Sequence, residues 1–158
     1  MNRHASALPN VIPMPMKKDK PMVTRKTKAE WADLLPPEIY RILFEEDTEH
    51  ACSSFLLSEK RSGTFLCAAC FQPLFDSRAK YESGTGWPSF REALPGAVTT
   101  QTDHKLLYPR TEYHCSCCGG HQGHVFDDGP PPLGTRYCNN GLALVFVPLG
   151  EPLPDRRI

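Results

Sequence analysis

The sequence lacks both a long apolar run and an excess of charge of one sign. No stretch approaches the roughly 20 apolar residues that cross a bilayer, so we expect a protein without membrane spans. The 18 basic and 18 acidic residues cancel, which removes the basic surface expected of a dedicated nucleic-acid binder. What remains is a chain of 158 residues, which suits one domain with one modest core.

The residues after Met1 also lack the apolar core of a secretory signal. The seven cysteines are an odd number, and four of them form Cys-x-x-Cys pairs, a spacing typical of metal binding. A secreted disulfide protein is the alternative. We favour a reducing, cytoplasmic compartment, where thiolates bind metal or carry out chemistry.

Residues 1–28 differ in composition from the rest of the chain. They contain four prolines and seven bases, with Asp19 as their one acid, and show no periodic apolar face. Such a segment cannot offset its ordering entropy by burial, so we predict a disordered tail. An organelle-targeting peptide is the alternative, because such peptides are basic and poor in acids, although proline opposes their amphipathic helix.

Residues 29–150 are predicted to form the folded domain, followed by a C-terminal tail at 151–158. Pro36, Pro37 and Glu38 are typical of a helix start. Later segments rich in β-branched and aromatic residues predict short, mostly antiparallel strands, and the last of them is apolar on both faces, which predicts a central strand. These strands are 64–67, 112–115 and 142–147.

Two Cys-x-x-Cys pairs, Cys67–Cys70 and Cys115–Cys118, have the spacing of zinc knuckles. Four thiolates complete a tetrahedral Zn²⁺ site, which is structural because no position stays open for substrate. The pairs are about 44 residues apart, more than in a compact zinc ribbon, so we expect zinc to clamp two distant hairpins. A redox-active role for the pairs is the alternative, and Cys117 could in principle replace Cys118.

Cys138 stands apart from both pairs, in a segment that contains Arg136 and Asn140. Histidines and aspartates precede it, and such polar and charged neighbours can activate a cysteine as a nucleophile. Arg136 would share a face with Cys138 if this stretch is a strand, and its charge would favour the thiolate. The alternative for an isolated cysteine is a small buried hydrophobe.

Four motifs follow one another along the chain at 83–90, 110–112, 123–130 and 136–140. Together they resemble the methionine-R-sulfoxide reductase B family, over roughly Trp31 to Pro148. The resemblance implies a mainly β fold with a barrel-like core of two antiparallel sheets, joined here to short N-terminal helices and a structural zinc site. It also implies reduction of the R epimer of methionine sulfoxide, in oxidised proteins or peptides.

The resemblance assigns roles to the residues around the thiol. Cys138 attacks the sulfoxide sulfur, releases methionine and is left as a sulfenic acid, while His124 approaches the sulfoxide oxygen. The remaining substrate contacts are His121 and Asp128 on the polar side, Trp87 against the S-methyl group, and Asn140 for orientation.

The sequence departs from the family at three positions near this site. Thr85 stands where many relatives carry the cysteine that resolves the sulfenic acid. We therefore predict that Cys52, in a Ser-rich loop, forms the disulfide with Cys138, although Cys117 is a second spare thiol. A thioredoxin-type dithiol would then restore the enzyme. Gln122 replaces an apolar residue and Asn139 a β-branched one.

A non-catalytic zinc-binding interaction module is the competing hypothesis for the paired cysteines. Trp87, His124 and Cys138 favour the enzyme, because a binding module has no need of them. We expect a monomer with no nucleic-acid partner, since the net charge is zero.

Overall fold

The computed structural model describes residues 25–158. Residues 1–24, which hold most of the predicted tail, lie outside the described residues. The first helix begins at Lys28, and the Thr27 hydroxyl caps it by accepting a hydrogen bond from the Glu30 backbone N–H. Thr27 and Lys28 are therefore part of the ordered chain.

Within this range the chain forms two α-helices and nine strands. They are α1 (Lys28–Leu34), α2 (Pro37–Phe44), β1 (Gly63–Cys67), β2 (Pro73–Asp76), β3 (Lys80–Tyr81), β4 (Ser89–Phe90), β5 (Val98–Asp103), β6 (Arg110–Cys115), β7 (His121–Phe126), β8 (Arg136–Asn139) and β9 (Leu144–Pro148).

The two helices pack against each other and against the sheets through a few apolar side chains. Pro37 occupies the first turn of α2, where its missing N–H costs nothing. Trp31 of α1 is buried and stacks on Phe44 of α2, with ring centroids 5.7 Å apart. Leu43 of α2 contacts Gly120 beside β7. The predicted N-terminal helices are therefore present.

The strands form two antiparallel sheets, as predicted. The smaller has the order β2-β1-β9, and the larger has the order β3-β4-β8-β7-β6-β5. Neither order returns to its first strand, so the sheets of residues 25–158 do not close into a barrel. In that same range, no helix is long and apolar enough to span a membrane.

The prediction of a central strand at 142–147 was wrong. Gly141–Ala143 forms a 3₁₀ turn, and β9 pairs with β1 alone, so β9 is an edge strand and β1 is central. Neighbouring side chains cover the apolar ring of Phe146 on this edge strand. The Arg61 guanidinium lies 5.2 Å from the Phe146 ring centroid, and Phe146 contacts Phe65.

Aromatic side chains join the two sheets. Phe65 and Phe75 of the smaller sheet contact Phe90 of the larger, with centroid distances of 5.0 and 4.0 Å, and all three are fully buried. Burial of each such ring stabilises the fold by about 2 kcal/mol. This cluster sets the position of β4, the short strand beside β8.

Strands β7 and β8 approach closely at Gly123. A Cβ atom at this position would lie 1.9 Å from the Cys138 carbonyl oxygen. Any side chain here would push the two strands apart, so glycine is needed to keep Cys138 beside β7.

Candidate metal centre and thiol site

Four buried cysteines from the two predicted knuckles converge. The Sγ atoms of Cys67, Cys70, Cys115 and Cys118 lie within 4.8 Å of one another. The Cys67–Cys118 and Cys70–Cys115 sulfur distances are 3.7 and 3.5 Å. A tetrahedral ion with metal–sulfur bonds of about 2.3 Å separates its sulfurs by about 3.8 Å, so these residues fit a metal ion.

The surroundings of the four sulfurs also suit thiolates. The Gly120 backbone N–H donates to Cys118 Sγ at 3.4 Å, and Gln122 Nε2 donates to Cys67 Sγ at the same distance. Cys117 is half-buried and outside the group. Each knuckle follows a strand end, β1 or β6, so the group joins two distant hairpins as predicted.

Cys138 lies in the middle of the larger sheet, away from the four-cysteine group. It is half-buried on β8, directly opposite Ser89 of β4 on one side and His124 of β7 on the other. Residues directly opposite in antiparallel strands point to the same face and contact each other. The register therefore places the His124 and Cys138 side chains next to each other on one face of the sheet.

Two opposing effects act on the Cys138 thiol. Burial raises the pKa of Cys138, whereas the charge of Arg136 and hydrogen bonds from Arg136 and Thr85 lower it. Burial is the larger effect, so the net shift is upward. The Arg136 charge offsets only part of the effect of desolvation on the thiol pKa.

Arg136 is held by Asp128 through two parallel hydrogen bonds. Arg136 Nε donates to Asp128 Oδ1 at 2.8 Å, and its NH2 group donates to Oδ2 at 3.1 Å. These bonds lower the pKa of Asp128. The guanidinium also lies 4.4 Å from the Phe126 ring centroid. Asp128, exposed itself, therefore fixes the cation that faces the thiol.

His124 has a buried carboxylate partner that the sequence did not reveal. His124 Nε2 lies 2.9 Å from Asp103 Oδ2, and Asp103 also accepts from Arg110 at 3.1 Å. The hydrogen bond with His124 is the largest cause that lowers the pKa of Asp103 to about 2. Asp103 comes close to His124 because β5 pairs with β6, with Asp103 opposite Arg110. A linear sequence motif does not show this pairing.

His121 and His124 share one face although they are three residues apart. The register of β6 and β7 shifts between Tyr113 and His114, and a bulge of this kind reverses the alternation of side chains. The centroids of the His121 and His124 rings are 5.5 Å apart. Burial lowers the pKa of His121 to about 4, so it is neutral at pH 7.

Glu112 is the second carboxylate that the sequence reading missed. It lies on the same face, fully buried, with Oε2 3.4 Å from His121 Nδ1. Burial raises its pKa, but hydrogen bonds from Gln101 and His114 and the charges of nearby histidines outweigh burial, so the net shift is downward.

Trp87 and Asn140 both hold the segment that precedes the β core. Trp87 Nε1 donates to the Glu49 carbonyl at 3.1 Å. Asn140 Oδ1 accepts from the Glu49 N–H at 3.1 Å, while its Nδ2 donates to the Gln122 carbonyl at 3.0 Å. Both polar ends of the Asn140 amide are thus engaged by backbone, and its role toward substrate stays a prediction.

Cys52 lies against the loop that flanks Cys138. Its backbone N–H donates to the Gly86 carbonyl at 2.7 Å, and its Sγ is 3.3 Å from the point where a Gly86 Cβ would lie. Thr85, the neighbour of Gly86, is near enough to Cys138 to lower the pKa of its thiol slightly. Cys52 is exposed and adopts φ 64°, which is uncommon for a residue other than glycine.

Gln122 and Asn139, the two departures next to the site, contact each other. The Tyr113 hydroxyl donates to Asn139 Oδ1 at 2.6 Å, and Asn139 Nδ2 donates to Gln122 Oε1 at 3.1 Å. Gln122 then donates to Cys67 Sγ. All three side chains are fully buried. The two polar substitutions therefore complete one chain of hydrogen bonds between a metal-centre sulfur and the strand of Cys138.

These features define a β-sheet protein with a buried four-cysteine group that fits a metal ion and a separate cysteine–histidine site. Residues 35–148 match the SelR domain. The chain is 52% identical to peptide methionine sulfoxide reductase MsrB of Thiobacillus denitrificans over 124 residues, which is 78% of this chain and 94% of that protein. The MsrB proteins of Agrobacterium fabrum and Leptospira interrogans are 48% and 49% identical, over 78% and 77% of this chain and 93% of each relative.

The chain therefore belongs to the MsrB family of SelR-domain proteins. Among solved structures, the Mis18 'Yippee-like' domain covers 58% of this chain and 100% of its own, with a TM-score of 0.45 and 23% identity. That likeness is too distant to inform on function.

Proposed function

We propose that this protein reduces the R epimer of methionine sulfoxide in oxidised proteins or peptides, with Cys138 as the nucleophile. The observation that carries the proposal is the direct cross-strand pairing of Cys138 with His124, in a chain of the MsrB family. The same pairing favours an enzyme over a non-catalytic zinc-binding module, because such a module needs no thiol beside a carboxylate-held histidine.

The first step is thiolate attack on the sulfoxide sulfur. A bond forms between Cys138 Sγ and that sulfur while the sulfoxide oxygen takes up a proton. The oxygen then passes to Cys138 as hydroxyl, the sulfoxide sulfur–oxygen bond and the new sulfur–sulfur bond break, methionine leaves and Cys138 becomes a sulfenic acid. Asp103 accepts from His124 Nε2, so a proton given to the oxygen would leave from Nδ1. Trp87, half-buried near this loop, would contact the S-methyl group.

The second step resolves the sulfenic acid. The Cys52 thiol attacks Cys138 sulfur, a disulfide forms and water leaves; a thioredoxin-type dithiol then reduces the disulfide. The contact of Cys52 with Gly86, next to Thr85, supports this choice. Cys117 is the weaker candidate because it lies within the second metal knuckle.

The four-cysteine group is proposed to hold one structural Zn²⁺. Buried thiolates in two Cys-x-x-Cys knuckles are the donor set typical of this ion. With all four positions filled by protein, the ion would supply no open site for substrate, and would fasten the β1–β2 and β6–β7 hairpins together.

The direct test compares Cys138→Ser with Cys117→Ser on both sulfoxide epimers. We expect Cys138→Ser to abolish reduction of the R epimer while it keeps the metal content and melting temperature of the parent protein. Cys117→Ser should retain turnover, and the parent should leave the S epimer unreduced. Turnover by metal-replete Cys138→Ser would overturn the assignment.

A further inference from the structure

Three metal-ligand side chains converge on the face of β6 and β7 that carries the histidines. One ligand atom from each of Glu112, His114 and His121 lies within 4.8 Å of the other two. Glu112 Oε1 is 3.3 Å from His114 Nε2, and Glu112 Oε2 is 3.4 Å from His121 Nδ1. Donors about 2.1 Å from one ion are separated from each other by about 3.0–3.4 Å, so these spacings fit a bound cation.

Two of the donor atoms are buried and lack a hydrogen-bond partner. Glu112 is 3% exposed and His121 2% exposed, and both Glu112 Oε2 and His121 Nδ1 are unpaired among the residues that the structure describes. A buried polar atom without a partner costs about 1–3 kcal/mol, and such atoms are rare. Here the two lie 3.4 Å apart, which is the spacing of adjacent ligands of one ion.

His114 is already oriented as a ligand. Its Nδ1 lies 2.9 Å from the Gly119 carbonyl oxygen, which only accepts, so Nδ1 carries a proton. Nε2, which faces Glu112, is the nitrogen that would bind a metal once it is deprotonated. A second hydrogen bond of this kind accompanies most metal-bound histidines. The Gln101 amide contacts Glu112 Oε1 and lies 3.4 Å from His114 Nε2, but Gln101 is exposed and can swing into solvent.

A neighbouring group on the same face is a poorer candidate. Asp103, Glu112 and His124 also lie close together. Asp103 and His124 already hydrogen-bond each other, and Arg110 neutralises the carboxylate. The buried atoms without a hydrogen-bond partner are Glu112 Oε2 and His121 Nδ1, which favours the group that contains both residues.

We propose that Glu112, His114 and His121 form a second metal site, distinct from the four cysteines, that takes one divalent ion of the Zn²⁺, Co²⁺ or Ni²⁺ type. Imidazole suits these ions, and three protein ligands leave positions open for water. Since His121 lines the substrate site under the proposed function, the ion would inhibit turnover reversibly. That consequence rests on the proposed function, whereas the binding does not.

The test is a calorimetric and spectroscopic titration of Co²⁺ into reduced protein whose cysteine centre is loaded with zinc. We expect one Co²⁺ per chain with an absorption spectrum free of thiolate charge-transfer bands. Glu112→Gln and His114→Gln should each weaken binding at least tenfold. His50→Gln, which changes an exposed histidine, and Cys138→Ser should bind as the parent does.

Three results would overturn the site: no Co²⁺ bound, thiolate bands that place the ion on cysteines, or unchanged affinity in His114→Gln. His114 is only half-buried, so this variant keeps the test decisive if Glu112→Gln fails to fold. Protein that binds Co²⁺ but never reduces sulfoxide would refute the proposed function and leave the metal site standing. Protein that reduces sulfoxide but does not bind Co²⁺ would refute the metal site and leave the proposed function standing.

Discussion

The four-cysteine centre and the thiol site are built in opposite ways. The centre takes its donors from two short segments, Cys67–Cys70 and Cys115–Cys118, and all four are buried. The thiol site takes Cys138, His124 and Asp103 from three separate strands. Local chain geometry creates the first, whereas strand register creates the second.

This difference predicts different responses to change. Loss of one ligand from the centre removes a clamp on two hairpins and should destabilise the whole fold. Loss of one residue from the thiol site leaves the strand pairing intact, so it should alter chemistry more than stability. The buried chain from Cys67 through Gln122 and Asn139 is the direct hydrogen-bonded link between the two regions.

The largest expected effect comes from a change at the centre. Cys115→Ser should release the metal and lower the free energy of unfolding by several kcal/mol, because metal binding contributes directly to folding. Elemental analysis and thermal melting measure both quantities. Cys117→Ser is the matched control, since Cys117 lies outside the group and should change neither. An unchanged melting temperature in Cys115→Ser would show that the four-cysteine group does not clamp the two hairpins.

A smaller effect is expected within the polar link. Asn139→Leu would leave the Tyr113 hydroxyl and Gln122 Oε1 buried without partners, which should cost about 2–3 kcal/mol in urea unfolding. Adding Tyr113→Phe and Gln122→Leu removes those polar groups and should recover much of the loss. If the triple variant is less stable than Asn139→Leu alone, the three side chains do not act as one network.

Cys52→Ser should affect only the step that returns oxidised Cys138 to the thiol. We expect the first turnover, measured as methionine formed per chain without reductant, to equal that of the parent. Thioredoxin-supported steady-state turnover should fall about tenfold or more, equivalent to roughly 1.4 kcal/mol. Undiminished cycling would mean that the sulfenic acid reacts with the reductant directly or with another thiol.

A pH dependence of stability is expected from Asp103. Its pKa is about 2 in the fold against about 3.9 unfolded. A lowered pKa contributes stability above the unfolded value, which is lost as the pH falls from about 4 through 2, on the order of 1–2 kcal/mol. Asp103→Asn should flatten this part of the stability profile relative to Asp127→Asn, an exposed control.

The same contrast explains what the sequence could predict. The knuckles, α2 and the first strand follow from spacing and periodicity over a few residues, and these predictions were confirmed. The central position of β9 was predicted wrongly, because an apolar strand can be covered by side chains such as Arg61 as well as by another strand.

Contacts that depend on how the strands pair could not be predicted from local sequence patterns. The bulge that brings His121 beside Glu112, and the hairpin that brings Asp103 to His124, depend on pairing between β5, β6 and β7. One residue of shift would turn these side chains to the opposite face. Gln122 and Asn139 stood out as departures, but their contact appears only once β7 and β8 are paired.

Peptide mapping of the protein after one turnover with the R-sulfoxide, in the absence of reductant, tests the division of labour between the two regions most directly. We expect a disulfide between Cys52 and Cys138, with the other thiols still reduced and bound to metal: Cys67, Cys70, Cys115 and Cys118. A disulfide within either Cys-x-x-Cys pair, or between Cys117 and Cys138, would contradict it.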